Sequence, residues 1–279
     1  MILKTEFSIL RMSVKKQHMS KTTKTTLAAI LATSIATFAG TTVQTKEGHE
    51  IQPSFSGVYG VDVSSGFVNK GRLFDSNPVF QPFGSIIIPT SLEIGGGIRT
   101  SVVGSSRQQL HTESPLSTWA RSETNVGFVF TKDRLSFIPT YELVTSSNRS
   151  YKSSQGVNLT LEFDDVGLTP LPIKPHARAY IGTKSGFERL ANYFEVGISP
   201  TVTAGSTTVS FPVNLGVGSR NFYTGGERYG YTSMGVSTST PVYKQLSLVT
   251  GVTYFNTNEN INNGKKDLWL TSAGIAVQF

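Results

Sequence analysis

From Ser54 to its last residue the chain alternates. In "VNLTLEF", Val157, Leu159, Leu161 and Phe163 fall on one side of an extended strand and Asn158, Thr160 and Glu162 on the other, because successive strand side chains point to opposite faces. "TVSFPVNLGVG" sets Val209, Phe211, Val213, Leu215 and Val217 against Ser210, Pro212, Asn214 and Gly216. "YFEVGISPTV" sets Phe194, Val196, Ile198 and Val202 against Glu195, Gly197 and Ser199. Twelve such runs occur, near 54–65, 79–88, 92–102, 118–130, 135–145, 157–163, 173–182, 193–202, 208–218, 230–239, 246–255 and 268–279. No amphipathic helical pattern longer than two turns interrupts them.

The connections sort by length. Long ones fall near 66–78, 103–117, 146–156, 183–191, 218–229 and 256–267, and shorter ones between them near 89–91, 131–134, 164–172, 203–206 and 240–245. A soluble sandwich has no reason to sort loops by parity. A barrel inserted from the periplasm has short turns on the inner side and long loops outside. The expected fold is therefore all-β: a transmembrane, antiparallel, up-and-down β-barrel of about twelve strands over residues 54–279.

The final run, "LWLTSAGIAVQF", places Trp269, Thr271, Ala273, Ile275, Val277 and Phe279 on one face and Leu270, Ser272, Gly274, Ala276 and Gln278 on the other. From Trp269 to Phe279 the strand covers roughly 33 Å at about 3.3 Å per residue. Tilted near ~40°, it climbs roughly 25 Å, the height of an outer-membrane apolar band with aromatic rims. A last strand with Trp269, Ile275, Val277 and a terminal Phe279 resembles the carboxy-terminal targeting signal of bacterial outer-membrane proteins. That resemblance implies recognition by the barrel-assembly machinery.

Residues 1–39 read as an export signal. A basic stretch ending "KTTKTT" precedes the apolar run Leu27 to Ala39, which is too short to span a bilayer as a helix. Small residues at Thr37 and Ala39 place cleavage after Ala39, leaving a polar lead-in at 40–53. The long basic region suggests that translation starts at Met12 or Met19. Lys4, Arg11, Lys15, Lys16, Lys21 and Lys24 stand against Glu6 in this segment, so only +2 of the formal +7 remains afterwards. A near-neutral mature chain has no electrostatic footprint for nucleic acid. No cysteine is present to form a disulfide or a thiolate metal site,, and no cofactor is expected.

Near the amino end, "GVDVSSGFVNKGRLFDSNPVFQP" carries Phe67, Val68 and Gly71, then Pro78 and Gln81. It resembles the first hairpin of a family of uncharacterised outer-membrane barrels, marked by an aromatic-x-[F/V]-x-G segment and a Pro-x-x-Q motif opening the next strand. Asn69 and Lys70 depart from that pattern, which usually has an aromatic and an arginine there. The resemblance implies a barrel with an unassigned transport role.

Within the strands, Asp62, Glu93, Arg99, Arg121, Glu123, Glu142, Glu162, Lys174, Arg178 and Glu195 each fall on the polar side of the alternation. A lipid-facing Arg or Lys at mid-depth costs about 2–4 kcal/mol, so these residues are expected to line the lumen. They either pair into a plug or border water and bias which solutes pass. Glycine runs such as Gly95 to Gly97 do not join a strand to a helix, so they form no phosphate cradle. The long loops, with Lys70, Arg72 and Arg107 among their cations, carry an excess of positive charge. That excess suits a solvated surface or the phosphates of lipopolysaccharide. His111 falls in an outer loop and His176 on the lumen side, so neither suits a lipid hydrolase embedded in the barrel wall.

The expectation is a monomeric, non-enzymatic barrel in the outer membrane of a Gram-negative bacterium, in contact with outer-membrane lipid and lipopolysaccharide. Its work is passive: a small diffusion channel for small solutes, or a structural barrel. A secreted β-sandwich binding module and a barrel-embedded lipid hydrolase are the alternatives.

Overall fold

The computed structural model describes residues 55–111, 119–146, 153–184 and 191–279. The export segment, its cleavage point and the 40–53 lead-in lie outside them. The elements are β1 (Ser56–Ser64), a small hairpin of β2 (Phe67–Asn69) and β3 (Arg72–Asp75), then β4 (Val79–Ile94), β5 (Ile98–His111), β6 (Trp119–Lys132), β7 (Leu135–Thr145), β8 (Ser154–Phe163) and β9 (His176–Lys184). There follow β10 (Asn192–Ile198), β11 (Thr201–Ala204), β12 (Thr207–Ser210), β13 (Val213–Gly218), β14 (Tyr229–Tyr243), β15 (Leu246–Thr257) and β16 (Asp267–Gln278). β10 and β11 are one wall strand interrupted at Pro200, and β12 and β13 one interrupted at Pro212. Proline has no N–H for the ladder, so strands break or bend there. With these joined, twelve antiparallel wall strands run in sequence order.

The ring closes between the ends of the chain. β1 pairs with β16 from Val58↔Gln278 to Ser64↔Ser272. Beyond that ladder, Gly57 and Phe279 exchange two backbone hydrogen bonds of 2.9 and 3.1 Å. The Phe279 ring meets Phe55 edge-on with centroids 6.0 Å apart. Closure removes the sheet edges, so every wall strand has two neighbours.

Faces follow from the register. Tyr59, Val61 and Val63 on β1 lie opposite Val277, Ile275 and Ala273 on β16, and the same outward face continues through Leu248 and Val252 of β15. Trp269 on this face is 67% exposed. Among the described side chains, the outward face of the wall strands carries no Asp, Glu, Lys or Arg between the strand ends. Lys132 and Asp267 stand at those ends. Aromatic residues gather at both rims: Phe130, Phe137, Phe163 and Phe279 at one, Trp269, Tyr254 and Phe80 at the other. An exposed, uncharged apolar band between aromatic girdles is the surface that lipid requires.

Turns at 95–97, 133–134, 205–206 and 244–245 lie at the end that holds Phe279, together with one longer connection at 164–175, and the remaining connections lie at the other end. One turn was expected at 89–91 and lies elsewhere. β4 continues past a register shift between Pro89 and Glu93, and the chain reverses at Gly95 to Gly97, with Gly96 and Gly97 at positive φ. Proline and two hydroxyl residues make a bulge there, while the glycines supply the left-handed backbone of the turn. β5 accordingly begins later and runs to His111, so Arg107 belongs to a strand and not to the following loop.

The inner connection at 164–175 is long but built. The Asp165 carboxylate accepts the N–H groups of Ile173 (2.7 Å) and Lys174 (2.9 Å), and Arg134 donates to the carbonyls of Asp164 and Val166. Desolvation pushes the Asp165 carboxyl up, but the backbone donors outweigh it and hold it below its ordinary range. A depressed native pKa gives a contribution that is complete above the unfolded value and lost as pH falls through the folded one. Protection of the Ile173 and Lys174 amides against hydrogen exchange should therefore survive to a pH below the ordinary carboxylate range. Asp165→Ala should lose it already at neutral pH; unchanged protection would show that other contacts hold the connection.

Candidate functional site

Twelve strands about 4.8 Å apart and tilted ~40° enclose a barrel of roughly 12 Å radius, wider than the eight-stranded kind that its own side chains fill. Much of the inner face is small. Gly60, Ser85, Ser105, Gly127, Gly197, Ser233, Gly235, Gly251, Ser272 and Gly274 all point inward by register. Such a wall leaves the interior to be occupied by something else.

In the outer half the occupant is the β2–β3 hairpin. It leaves the outer end of β1, turns at Lys70 (φ 50) and Gly71 (φ 79), and returns to β4. The tip crosses to the far wall. Lys70 Nζ lies 2.9 and 3.2 Å from the two carboxylate oxygens of Glu142 on β7 and 3.9 Å from the ring centroid of Tyr180 on β9. Asn69 donates to Glu123 on β6 at 3.3 Å. Gly71 abuts Tyr231 and Gly230 at the start of β14, where any Cβ would meet the ring. A lysine in the left-handed region costs about 1–2 kcal/mol, and the contacts of its ammonium hold it there.

The base of the hairpin is packed as well. Phe67 and Phe74 pack with tilted rings, centroids 5.6 Å apart, and the Arg121 guanidinium lies 5.4 and 5.3 Å from their rings. Two outer loops close over the other side. Asn262 donates to the Gly71 carbonyl at 2.9 Å and accepts the Leu73 N–H at 2.7 Å. The Tyr223 hydroxyl donates to the Lys70 carbonyl at 2.8 Å, and burial pushes that phenol above its ordinary range, so it keeps the proton it donates. Arg72 lies over Phe222 and Tyr223.

The expected lumen residues sort into groups. Glu142 (3% exposed) joins Lys70 and Asn158, and Asn158 reaches on to Asn125 at 3.1 Å. Arg121 pairs with Glu123 at 2.8 Å. Glu195 accepts the Tyr193 hydroxyl at 2.5 Å and also that of Tyr231, and lies 3.8 Å from the Arg178 guanidinium, whose side chain is 45% exposed. Asp62 is half-buried opposite Gln81. Glu162 lies opposite His176 at the inner end of β8, and Glu93 opposite Arg99 at the inner end of β4.

Two placements differ from expectation. Lys174 lies outside the strands, in the 164–175 connection with φ 45, because Asp165 captures its N–H and delays the start of β9. Lys70 and Arg72 belong to the first long connection, yet they point into the barrel and not to solvent. Tyr180, Tyr193, Tyr223 and Tyr231 form a buried aromatic cluster in the interior that the charge pattern of the sequence does not mark. The three on wall strands have inward parity and a glycine under the side chain: Tyr180 reaches over Gly156, and Tyr193 and Tyr231 over Gly216.

His176 lies on the inner face, with its ring nitrogens 3.0 Å from Asn214 Oδ1 and 3.4 Å from the Lys174 carbonyl. These partners include no serine. The His111 side chain lies outside the described residues.

No protein-family model matches the sequence, and no curated protein matches it. Some solved structures align with it along most of its length. The NanC porin aligns at 12% identity over 81% of this chain and 99% of its own, with a TM-score of 0.47. The KdgM porin, solved in complex with disordered oligogalacturonate, aligns at 13% identity over 80% of this chain and 99% of its own, with a TM-score of 0.44. Outer membrane phospholipase A from Escherichia coli aligns at 12% identity over 81% of this chain and 93% of its own, with a TM-score of 0.45. What this chain does must be read from its own side chains. Its closed ring, uncharged apolar band and aromatic rims make it a β-barrel of the Gram-negative outer membrane.

Proposed function

We propose that the protein is a narrow diffusion channel whose resting state is closed by its first outer hairpin. The observation that carries this reading is the way the hairpin is seated. Its tip is held by side-chain contacts of Asn69 and Lys70 to the far wall and by Asn262 and Tyr223 of the outer loops on its backbone, and it shares no strand ladder with that wall. A plug attached at its base and latched at its tip can swing without disturbing the barrel. The inward glycines and serines leave room for water and small polar solutes.

Planar-bilayer recordings of the refolded chain test the proposal. The wild type should open rarely, and Lys70→Ala should open far more often. Removing one partner of a buried pair leaves the other uncompensated at a cost of about 3–5 kcal/mol, which favours release of the hairpin. Silence in both proteins would point to the second reading, a structural barrel with a permanently filled interior. The arrangement of Arg121, Glu123 and Glu142 as paired charges is what favours that alternative.

A further inference from the structure

The Lys70 seat is made for a primary ammonium. Glu142 offers both carboxylate oxygens, the Tyr180 ring covers the cation at 3.9 Å, and Asn158 fixes the carboxylate through its own amide at 2.9 Å. Asn158 Oδ1 is buried with no partner, an acceptor open to a further N–H. An ammonium has three donors and no acceptor, and an aromatic face attracts it electrostatically. Lys70 is thus an intramolecular ligand, delivered on the β2–β3 hairpin into a site built from three wall strands.

We infer that this seat binds soluble primary alkylammonium ions, which compete with the Lys70 side chain and free the hairpin. The inference rests on the hairpin being a gate, and it adds the class of solute that works it. A quaternary ammonium keeps the attraction to the Tyr180 ring but has no N–H to donate to Glu142, so it binds more weakly than a primary one. Anions are excluded by the carboxylate.

The probe is n-butylammonium, which reproduces the lysine side chain beyond its Cα. The chain contains both Lys70 and Arg72 in the hairpin, and trypsin is too large to enter the lumen. Cleavage after these residues in the intact, detergent-folded protein therefore reports hairpin release. Butylammonium should speed cleavage of the wild type relative to equal concentrations of sodium or tetramethylammonium. In Lys70→Ala it should do the reverse: fill the vacant seat, let the hairpin dock and slow cleavage after Arg72. The opposite signs are the signature of competition for one site. Adding Glu142→Gln to Lys70→Ala should weaken the effect about tenfold or more, the usual loss when a charge-assisted hydrogen bond goes.

Thermal unfolding of Lys70→Ala separates the two ideas. A rise in unfolding temperature with butylammonium that Glu142→Gln abolishes supports the seat, even if trypsin never cleaves and the gate reading fails. No rise, an equal rise with tetramethylammonium, or a rise that survives Glu142→Gln overturns the inference.

Discussion

Excision of the hairpin, with residues 67–75 replaced by a short Gly-Ser link, should turn a mostly closed barrel into a continuously conducting one. The barrel itself should survive. β1 and β4 pair with each other along nine positions, from Ser56↔Ile87 to Ser64↔Val79, and none of these lies in the hairpin. Glu142 and Glu123 would lose Lys70 and Asn69, but the excision also admits water to them. A hydrated carboxylate does not carry the penalty of a buried one. Excision therefore differs from Lys70→Ala, which leaves Glu142 covered by a hairpin that no longer neutralises it. The single substitution should give flickering openings and the excision a steady open level. The measurement is single-channel current across a planar bilayer, with heat-modifiable gel mobility confirming that both proteins fold. An excised barrel that folds and stays closed would show that Tyr180, Tyr193, Tyr231 and the outer loops fill the lumen unaided. That result would remove the channel reading.

The contrast also explains what the sequence could disclose. Face assignment needed only local information. The parity of Asn158, Glu162, Arg178 and Glu195 against Leu159, Leu161, Ala179 and Val196 is written within single strands, and the inward position of His176 follows from the same rule. The direction of the first hairpin was not local. Lys70 and Glu142 are 72 residues apart, and they meet only because the wall closes and brings β7 across from β1. Read alone, "VNKGR" is as polar as any solvated tip. The turn at 89–91 failed for a different reason. Proline and hydroxyl residues mark both turns and bulges, and the tripeptide Gly95 to Gly97 competed for the same reversal. At 164–175, two backbone hydrogen bonds to one carboxylate shortened β9, a tertiary effect that no alternation records.

A lipid-facing arginine gives the sharpest test of the wall. Ile275 is outward and 47% exposed, between Val61 of β1 and Leu248 of β15. Ser272 is inward, between Ser64 and Gly251. Four residues of tilted strand place Ile275 roughly 10 Å above Phe279, close to the middle of the apolar band. Ile275→Arg must desolvate its guanidinium there or drag it to the rim, at a cost of about 2–4 kcal/mol. Ser272→Arg enters a polar inner face beside a glycine and a serine, where lumen polar groups can take its N–H donors, so its cost should be several-fold smaller. The measurement is denaturant unfolding of the two variants in lipid vesicles, where a difference of about 2 kcal/mol is a roughly thirtyfold change in the folded ratio. Equal losses at the two positions would mean that the inner face is as dry as the outer one. The barrel would then be packed along its whole length, and no displacement of the hairpin could open it.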